Sequence, residues 1–192
     1  LACAAAIAIA ERGLGDVVTA SAANEAFAGA EVGGGAGRLV PMMVGRDVAV
    51  IDDSYNANPA SMRASIRAAA EIAATERRRL VLVLGEMREL GSAGEASHDE
   101  VGRVARDSGA PLVIAVGALA ARYTLQLLGS PITHVHVETA RDAAAVATSW
   151  TAPGDLVLVK GSRGIGTDAV VRALREHFGA TVPNDTATGG RA

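Results

Sequence analysis

At 192 residues the chain is long enough for one packed domain with something left over, and 49% apolar with 20% charged residues is the composition of a folding sequence. A net charge of −3, with Arg and Lys scattered along the chain, excludes the electrostatic footprint of a nucleic-acid binder. The single Cys3 excludes an internal disulfide, no Cys/His cluster has zinc spacing, and the apolar opening of residues 1–10 is too short for a membrane span and has no basic segment before it, so a cytoplasmic protein without metal or membrane is expected.

In chain order, residues 2–12 are Ala-rich and close on Gly13, the chemistry of a helix with a glycine stop. Because the chain opens on Leu1 and not on Met, it is expected to be a piece that starts inside a helix. Residues 16–30 read as a second short helix, and the glycine cluster of residues 33–37 gives a backbone freedom that a packed element would not tolerate. A domain boundary is expected there, dividing the chain into 1–37, 38–180 and a Pro-, Asn-, Thr- and Gly-containing tail, 181–192, expected to be disordered. From Arg38 the pattern turns to strands: residues 39–44, a tight Gly45-Arg46-Asp47 turn and residues 48–51 make a β-hairpin. Apolar runs at 80–84, 112–116, 134–137 and 156–159 then alternate with helical periodicity. With 3% aromatic residues the core must be built of Ala, Val, Leu and Ile, which suits helices laid on a parallel sheet. The expected fold is α/β, a Rossmann-like, mainly parallel six-stranded sheet with helices on both faces and the first hairpin strand antiparallel.

Helix starts have their own signals. Asn58 is a good N-cap with Pro59 at the first helical position, and Met62, Ile66, Ala69 and Ala73 then share one face. Ser97-His98-Asp99-Glu100 reads as a capping box, Thr139 as the cap of a helix ending at Trp150, and Thr167 as the cap of one ending at Phe178 and stopped by Gly179.

The corner after residue 51 is the most informative place for chemistry, because ligands of open α/β sheets bind outside the carboxyl ends of the strands. Asp52 and Asp53 sit there, followed by Tyr55, Asn56 and Asn58. A carboxylate can accept both hydroxyls of a ribose, and Asn side chains donate and accept as recognition of a base or sugar requires. Equally, Asp53 and Asn58 could serve only to end the strand and cap the helix. On the same rim, the loop of residues 86–97 carries the carboxylates Glu86 and Glu89 and leads to His98. Lys160-Gly161-Ser162-Arg163-Gly164-Ile165-Gly166 follows the last strand, where glycines let N–H groups approach an anion and Lys160, Ser162 and Arg163 add charge and a hydroxyl. A tight turn with exposed charges would use the same residues. The glycines also look like the cofactor loop of short-chain dehydrogenases, but G-x-x-G-x-G is one residue short of the G-x-x-x-G-x-G of that family, and a dinucleotide loop follows the first strand of its domain, not the last.

The string from Asp52 to Met62, DDSYNANPASM, resembles the signature that opens the C-terminal domain of the D-alanyl-D-alanine-adding Mur ligases. Two further segments fall in that family's order: Gly85-Glu86-Met87-Arg88-Glu89-Leu90-Gly91 followed by His98, and Lys160-Gly161-Ser162-Arg163-Gly164. The likeness runs from about residue 38 to residue 178, and the helices before the linker resemble the end of the family's central ATPase domain. The resemblance implies an ATP-dependent, amide-forming ligase of cytoplasmic peptidoglycan synthesis. ATP and Mg²⁺ would be its cofactors, UDP-N-acetylmuramoyl tripeptide and D-alanyl-D-alanine its substrates, and the N-terminal and central domains of the same protein its partners. By the same resemblance Arg38 would approach the ATP phosphates, and Asp53, Asn56 and Asn58 the ribose and adenine. Glu86 and Glu89 would hold the D-alanyl-D-alanine ammonium, His98 its carboxylate, and Lys160, Ser162 and Arg163 a peptide carboxylate. The chain lacks a G-x-x-x-x-G-K-[ST] phosphate loop. No catalytic residue or metal ligand is therefore assigned to it, and alone it is expected to be inactive. A related Mur-type ligase with another amino component, and a nucleotide-binding module without chemistry, are the alternatives.

Overall fold

The structure, a computed structural model, describes residues 37–179. The expected helices of residues 2–12 and 16–30 and the whole tail of residues 181–192 lie outside the described residues. Strands β1 (Val40–Val44) and β2 (Val48–Asp53) form the antiparallel hairpin, and α1 (Pro59–Glu76) follows. Then come β3 (Arg79–Gly85), α2 (Gly94–Asp107), β4 (Leu112–Val116), α3 (Ala121–Leu127), β5 (Thr133–Val137), α4 (Ala140–Trp150), β6 (Asp155–Lys160) and α5 (Asp168–Gly179). The six strands lie in the order β1-β2-β6-β3-β4-β5, and every pairing except that of β1 with β2 is parallel.

Strand alternation decides what each face of this sheet is made of. Along β3, Leu80, Leu82 and Leu84 point to one side and Val81 and Val83 to the other; along β6, Leu156 and Leu158 are opposed to Val157 and Val159. The leucine face is covered by α1, α2 and α3 through Met62, Ile66, Val101, Ala105, Tyr123 and Leu127. The valine face is covered by α4 and α5 through Ala143, Ala147, Val170, Val171 and Leu174. Full burial of a Leu or Val is worth about 1.5–3 kcal/mol, so the two layers together supply the main force holding the sheet closed on both faces.

The helix starts separate into three kinds. Asn58 caps α1 in a reciprocal box, its Oδ1 accepting from the Ser61 amide at 2.8 Å while its own amide donates to Ser61 Oγ at 3.1 Å. Thr139 Oγ1 accepts from the Asp142 amide at the start of α4. The box expected at Ser97 does not form: a 3-10 turn, Gly91–Ala93, runs straight into α2, which begins at Gly94, and Ala93 at its N-cap makes no side-chain bond. Burial of His98 draws that residue into the second turn of the helix, so the local cap pattern loses to packing. Thr167 also fails as a side-chain cap, since its hydroxyl is buried without a hydrogen-bond partner.

Candidate functional site

The parallel register sets the last residues of β2 and β6 side by side, with Asp53 opposite Lys160. Both are buried, and Lys160 Nζ donates to Asp53 Oδ2 at 2.5 Å. A charge pair taken out of water survives only if its remaining valences are met. Here Ser65 Oγ on α1 donates to the same carboxylate oxygen at 2.7 Å, the Leu39 amide donates to Oδ1 at 3.2 Å, and Lys160 donates again to the Asn56 carbonyl at 3.0 Å. Asp53 is thus filled by protein donors, and Lys160 points inward beneath the rim. Asn56 accepts from the Ala57 amide through Oδ1, and Asn58 is committed to its cap.

Above this pair lies a pocket of about 590 Å³ lined by Gly37, Arg38, Asp52, Ser54, Tyr55, Arg163 and Asp168. Asp52 Oδ1 accepts from the amide and hydroxyl of Ser54, which ties the corner down and leaves the carboxylate on the pocket wall. The Arg38 guanidinium sits 4.2 Å from the centre of the Tyr55 ring and that of Arg163 at 5.1 Å, with Arg163 Nη1 donating to the Tyr55 hydroxyl at 3.4 Å. Arg38, chiefly by hydrogen bonding, and then Arg163 draw the phenol's pKa below the usual tyrosine value. Two guanidinium groups on one aromatic plate, with carboxylates in the same lining, suit a ligand that carries both anionic oxygens and hydroxyls.

A second group of expected residues lies on the neighbouring rim of β3. The loop after β3 and the loop after β6 are stitched together: the Ser162 amide donates to the Glu86 carbonyl at 3.2 Å, and the Arg88 amide donates to Ser162 Oγ at 2.9 Å. Glycine permits this approach, because a Cβ on Gly85 would lie 3.0 Å from Gly161 Cα and 2.9 Å from Thr167 Cγ2. Glu86 Oε2 accepts from the Leu119 amide at 3.0 Å, and Glu89 is exposed with φ at 65°. His98 is fully buried. The Met87 amide donates to its Nε2 at 3.0 Å, so Nδ1 carries the proton and donates to the Gly94 carbonyl at 2.7 Å. The imidazole therefore holds the loop that presents Glu86 and Glu89.

The fold brings Arg38 and Arg163 to one pocket and sets Glu86, Glu89 and Ser162 on the adjoining loops, with Asp53 and Lys160 below the pocket and His98 behind the Glu86 loop. Sequence reasoning placed Asp52 and Tyr55 at this corner without giving either a ligand contact, and it left Asp168 out. Tyr55 meets Arg163 from 108 positions away, a pairing no local pattern carries, although Asp52 and Tyr55 stand in the same polar string as Asp53. Among the described residues no three His, Cys, Asp or Glu side chains converge as a metal site.

The family model described as Mur ligase, glutamate ligase domain, matches residues 37–163. The chain belongs to the Mur ligase family. Over 148 residues this Mur ligase chain is 39% identical to the UDP-N-acetylmuramoyl-tripeptide–D-alanyl-D-alanine ligase of Mycobacterium tuberculosis, a match covering 68% of the chain and 29% of that relative. With the ligase of the same name from Escherichia coli it shares 36% identity over 142 residues, covering 73% and 30%. Among solved structures, MurF from Acinetobacter baumannii superposes with a TM-score of 0.64 at 27% identity, covering 74% of this chain and 31% of that one. MurF ligase from Thermotoga maritima in complex with ADP shares the fold at a TM-score of 0.61 and 22% identity, covering 77% and 32%. The Mur ligase chain spans about three tenths of the length of the curated relatives it matches. No described helix is long and apolar enough to cross a membrane.

Proposed function

We propose that residues 38–179 work as the C-terminal domain of an ATP-dependent ligase that joins D-alanyl-D-alanine to UDP-N-acetylmuramoyl tripeptide in the cytoplasm. The observation that carries this reading is the pocket at the ends of β2 and β6, where Arg38 and Arg163 flank Tyr55 and Asp52 shares the lining. Bound ATP, with Mg²⁺ held mainly by residues outside this chain, supplies the phosphoryl group that activates the tripeptide carboxyl. Arg38 and Arg163 neutralise phosphate charge, which charge-assisted hydrogen bonds do best in a partly water-excluded site. The ribose and adenine lie against the corner after β2, where Asp52 is the carboxylate that lines the pocket, while Asp53, Asn56 and Asn58 shape that corner from within. Glu86 and Glu89 hold the ammonium of the incoming dipeptide, and Ser162 with Arg163 faces a peptide carboxylate. His98 and Lys160 serve these contacts through the backbone they fix. Positioning of this kind turns a bimolecular attack into an effectively unimolecular one.

A domain exchange tests the proposal. Residues 38–179 replace the matching segment of the Escherichia coli relative, and phosphate release is followed with ATP, tripeptide precursor and D-alanyl-D-alanine. The chimera should turn over only with D-alanyl-D-alanine present, and Arg38→Ala in it should lower kcat/KM for ATP by roughly tenfold or more, the loss of one charge-assisted contact. The 192-residue chain alone should match a blank. A chimera with a native near-UV dichroism spectrum but no dipeptide-dependent turnover rejects the reading.

A further inference from the structure

We infer that Asp53 and Lys160 are positioning residues: their buried pair pins the linker entering the domain so that Arg38 is delivered onto Tyr55 at the lip of the pocket. The inference deepens the nucleotide reading given above and gives the pair a task other than touching ligand. Three observations carry it. The linker is tied at two points around Arg38, since the Leu39 amide donates to Asp53 Oδ1 and the Gly37 carbonyl accepts from the Tyr55 amide at 2.8 Å. Between the ties, Arg38 is exposed while Gly37 and Leu39 are buried, so only its side chain reaches outward. Leu39 itself has φ at 52°, a left-handed conformation that a non-glycine residue holds only where its surroundings dictate it.

What dictates it is the carboxylate. Asp53 could not hold a linker amide at a buried point unless its second oxygen were also satisfied, and Lys160 and Ser65 do that. Lys160 in turn reaches back to the Asn56 carbonyl, so one ammonium joins the end of β6 to the turn that carries Tyr55. The strut therefore fixes both members of the Arg38–Tyr55 contact, one through the linker and the other through the corner.

Tyr55 reports this arrangement without any nucleotide. The sequence has two tyrosines; Tyr123 is fully buried, and desolvation, helped by Glu86, pushes its pKa far up, so the tyrosinate absorbance that rises first as the pH is raised belongs to Tyr55. The groups facing Tyr55 are Arg38 and Arg163, and Asp52 and Asp168, the latter paired with Arg172, line the same pocket. Arg38→Ala in the 192-residue chain should raise the Tyr55 pKa toward 10 and sets the size of the effect. Asp53→Ala/Lys160→Met removes one charge of each sign and should raise it comparably, with no further rise when Arg38→Ala is added. Ser65→Ala, which loosens Asp53 only on its α1 side, should leave it unchanged. The two lost charges act on Tyr55 in opposite directions and largely cancel, so a rise as large as that of Arg38→Ala marks the strut and not bulk electrostatics. A folded double variant with a wild-type or lowered Tyr55 pKa overturns the inference. In the unmodified chain, the Leu39 and Tyr55 amides should exchange with deuterium as slowly as those of β2, and fast exchange at Leu39 overturns it whatever the variants do. Neither readout contains nucleotide, so a chimera without ligase activity would reject the proposed function and leave these results standing.

Discussion

Asp99 carries the acid sensitivity that a single carboxylate can impose on a fold. The Arg122 guanidinium grips it at 2.9 and 2.5 Å and Gln126 adds a third bond at 3.1 Å, and hydrogen bonding from Arg122 is the chief reason its pKa lies below that of a free aspartate. A depressed folded pKa adds stability that is present above the unfolded value of about 4 and is lost as the pH falls through the folded one. Asp99→Asn should therefore unfold at lower urea than the parent chain at pH 7, and the gap should close as the pH is taken from 4 toward 2. A gap that persists at pH 2 would show that Asp99 contributes by packing and not by charge. At this scale the sequence was legible in kind but not in partner. Asp53 and Lys160 both read as polar rim residues, yet their pairing spans 107 positions and follows only from the parallel register of β2 with β6.

Where two elements close on one another, glycine marks the contact. Gly102 lies inside α2, where alanine would ordinarily gain about 1 kcal/mol of helix propensity. A Cβ there would stand 2.8 Å from Gln126 Cγ and 3.0 Å from Tyr123 Cα. The glutamine can swing aside but the α3 backbone cannot, and overpacking of this kind costs about 1–3 kcal/mol. Gly102→Ala should thus destabilise the chain by about 1 kcal/mol net in urea unfolding, and a stabilised variant would mean that α3 shifts freely over α2. The helices that begin with a polar cap followed by exposed residues, α1 and α4, were readable from sequence because their caps compete with nothing. The start of α2 was not, because what fixes it is the burial of His98 under the loop from β3 and its stacking on Tyr123, a tertiary contact written over a local pattern.

Taken whole, the molecule is two apolar layers on one sheet, and this was the most legible level of all. Alternating Leu and Val in β3 and β6 announce a strand buried on both faces before any partner is known, and right-handed crossovers then leave few topologies open. Strand order was not readable, since nothing local tells β6 to insert between β2 and β3. Because both layers are closed within residues 37–179, a chain trimmed to that range should unfold in a single transition, with coincident curves from far-UV dichroism and Trp150 fluorescence. Two separated transitions would show that the layers are independent units.

The linker enters at the β2 end of the sheet, beside the pocket, and that asymmetry makes the domain a lever. With strands about 4.8 Å apart, β5 lies four spacings, or roughly 19 Å, from β2. A turn of about 10° around an axis through Gly37 normal to the sheet would sweep the end of β5 through roughly 3 Å and the pocket through about 1 Å or less, by the same spacing. Arg38 stands at the fulcrum, and the loops after β3 and β4 ride progressively farther out on the arm. Any reorientation of the domain about this point therefore leaves the pocket nearly in place while it carries the Glu86 loop through about half, and the Gly117 loop through about three quarters, of the travel.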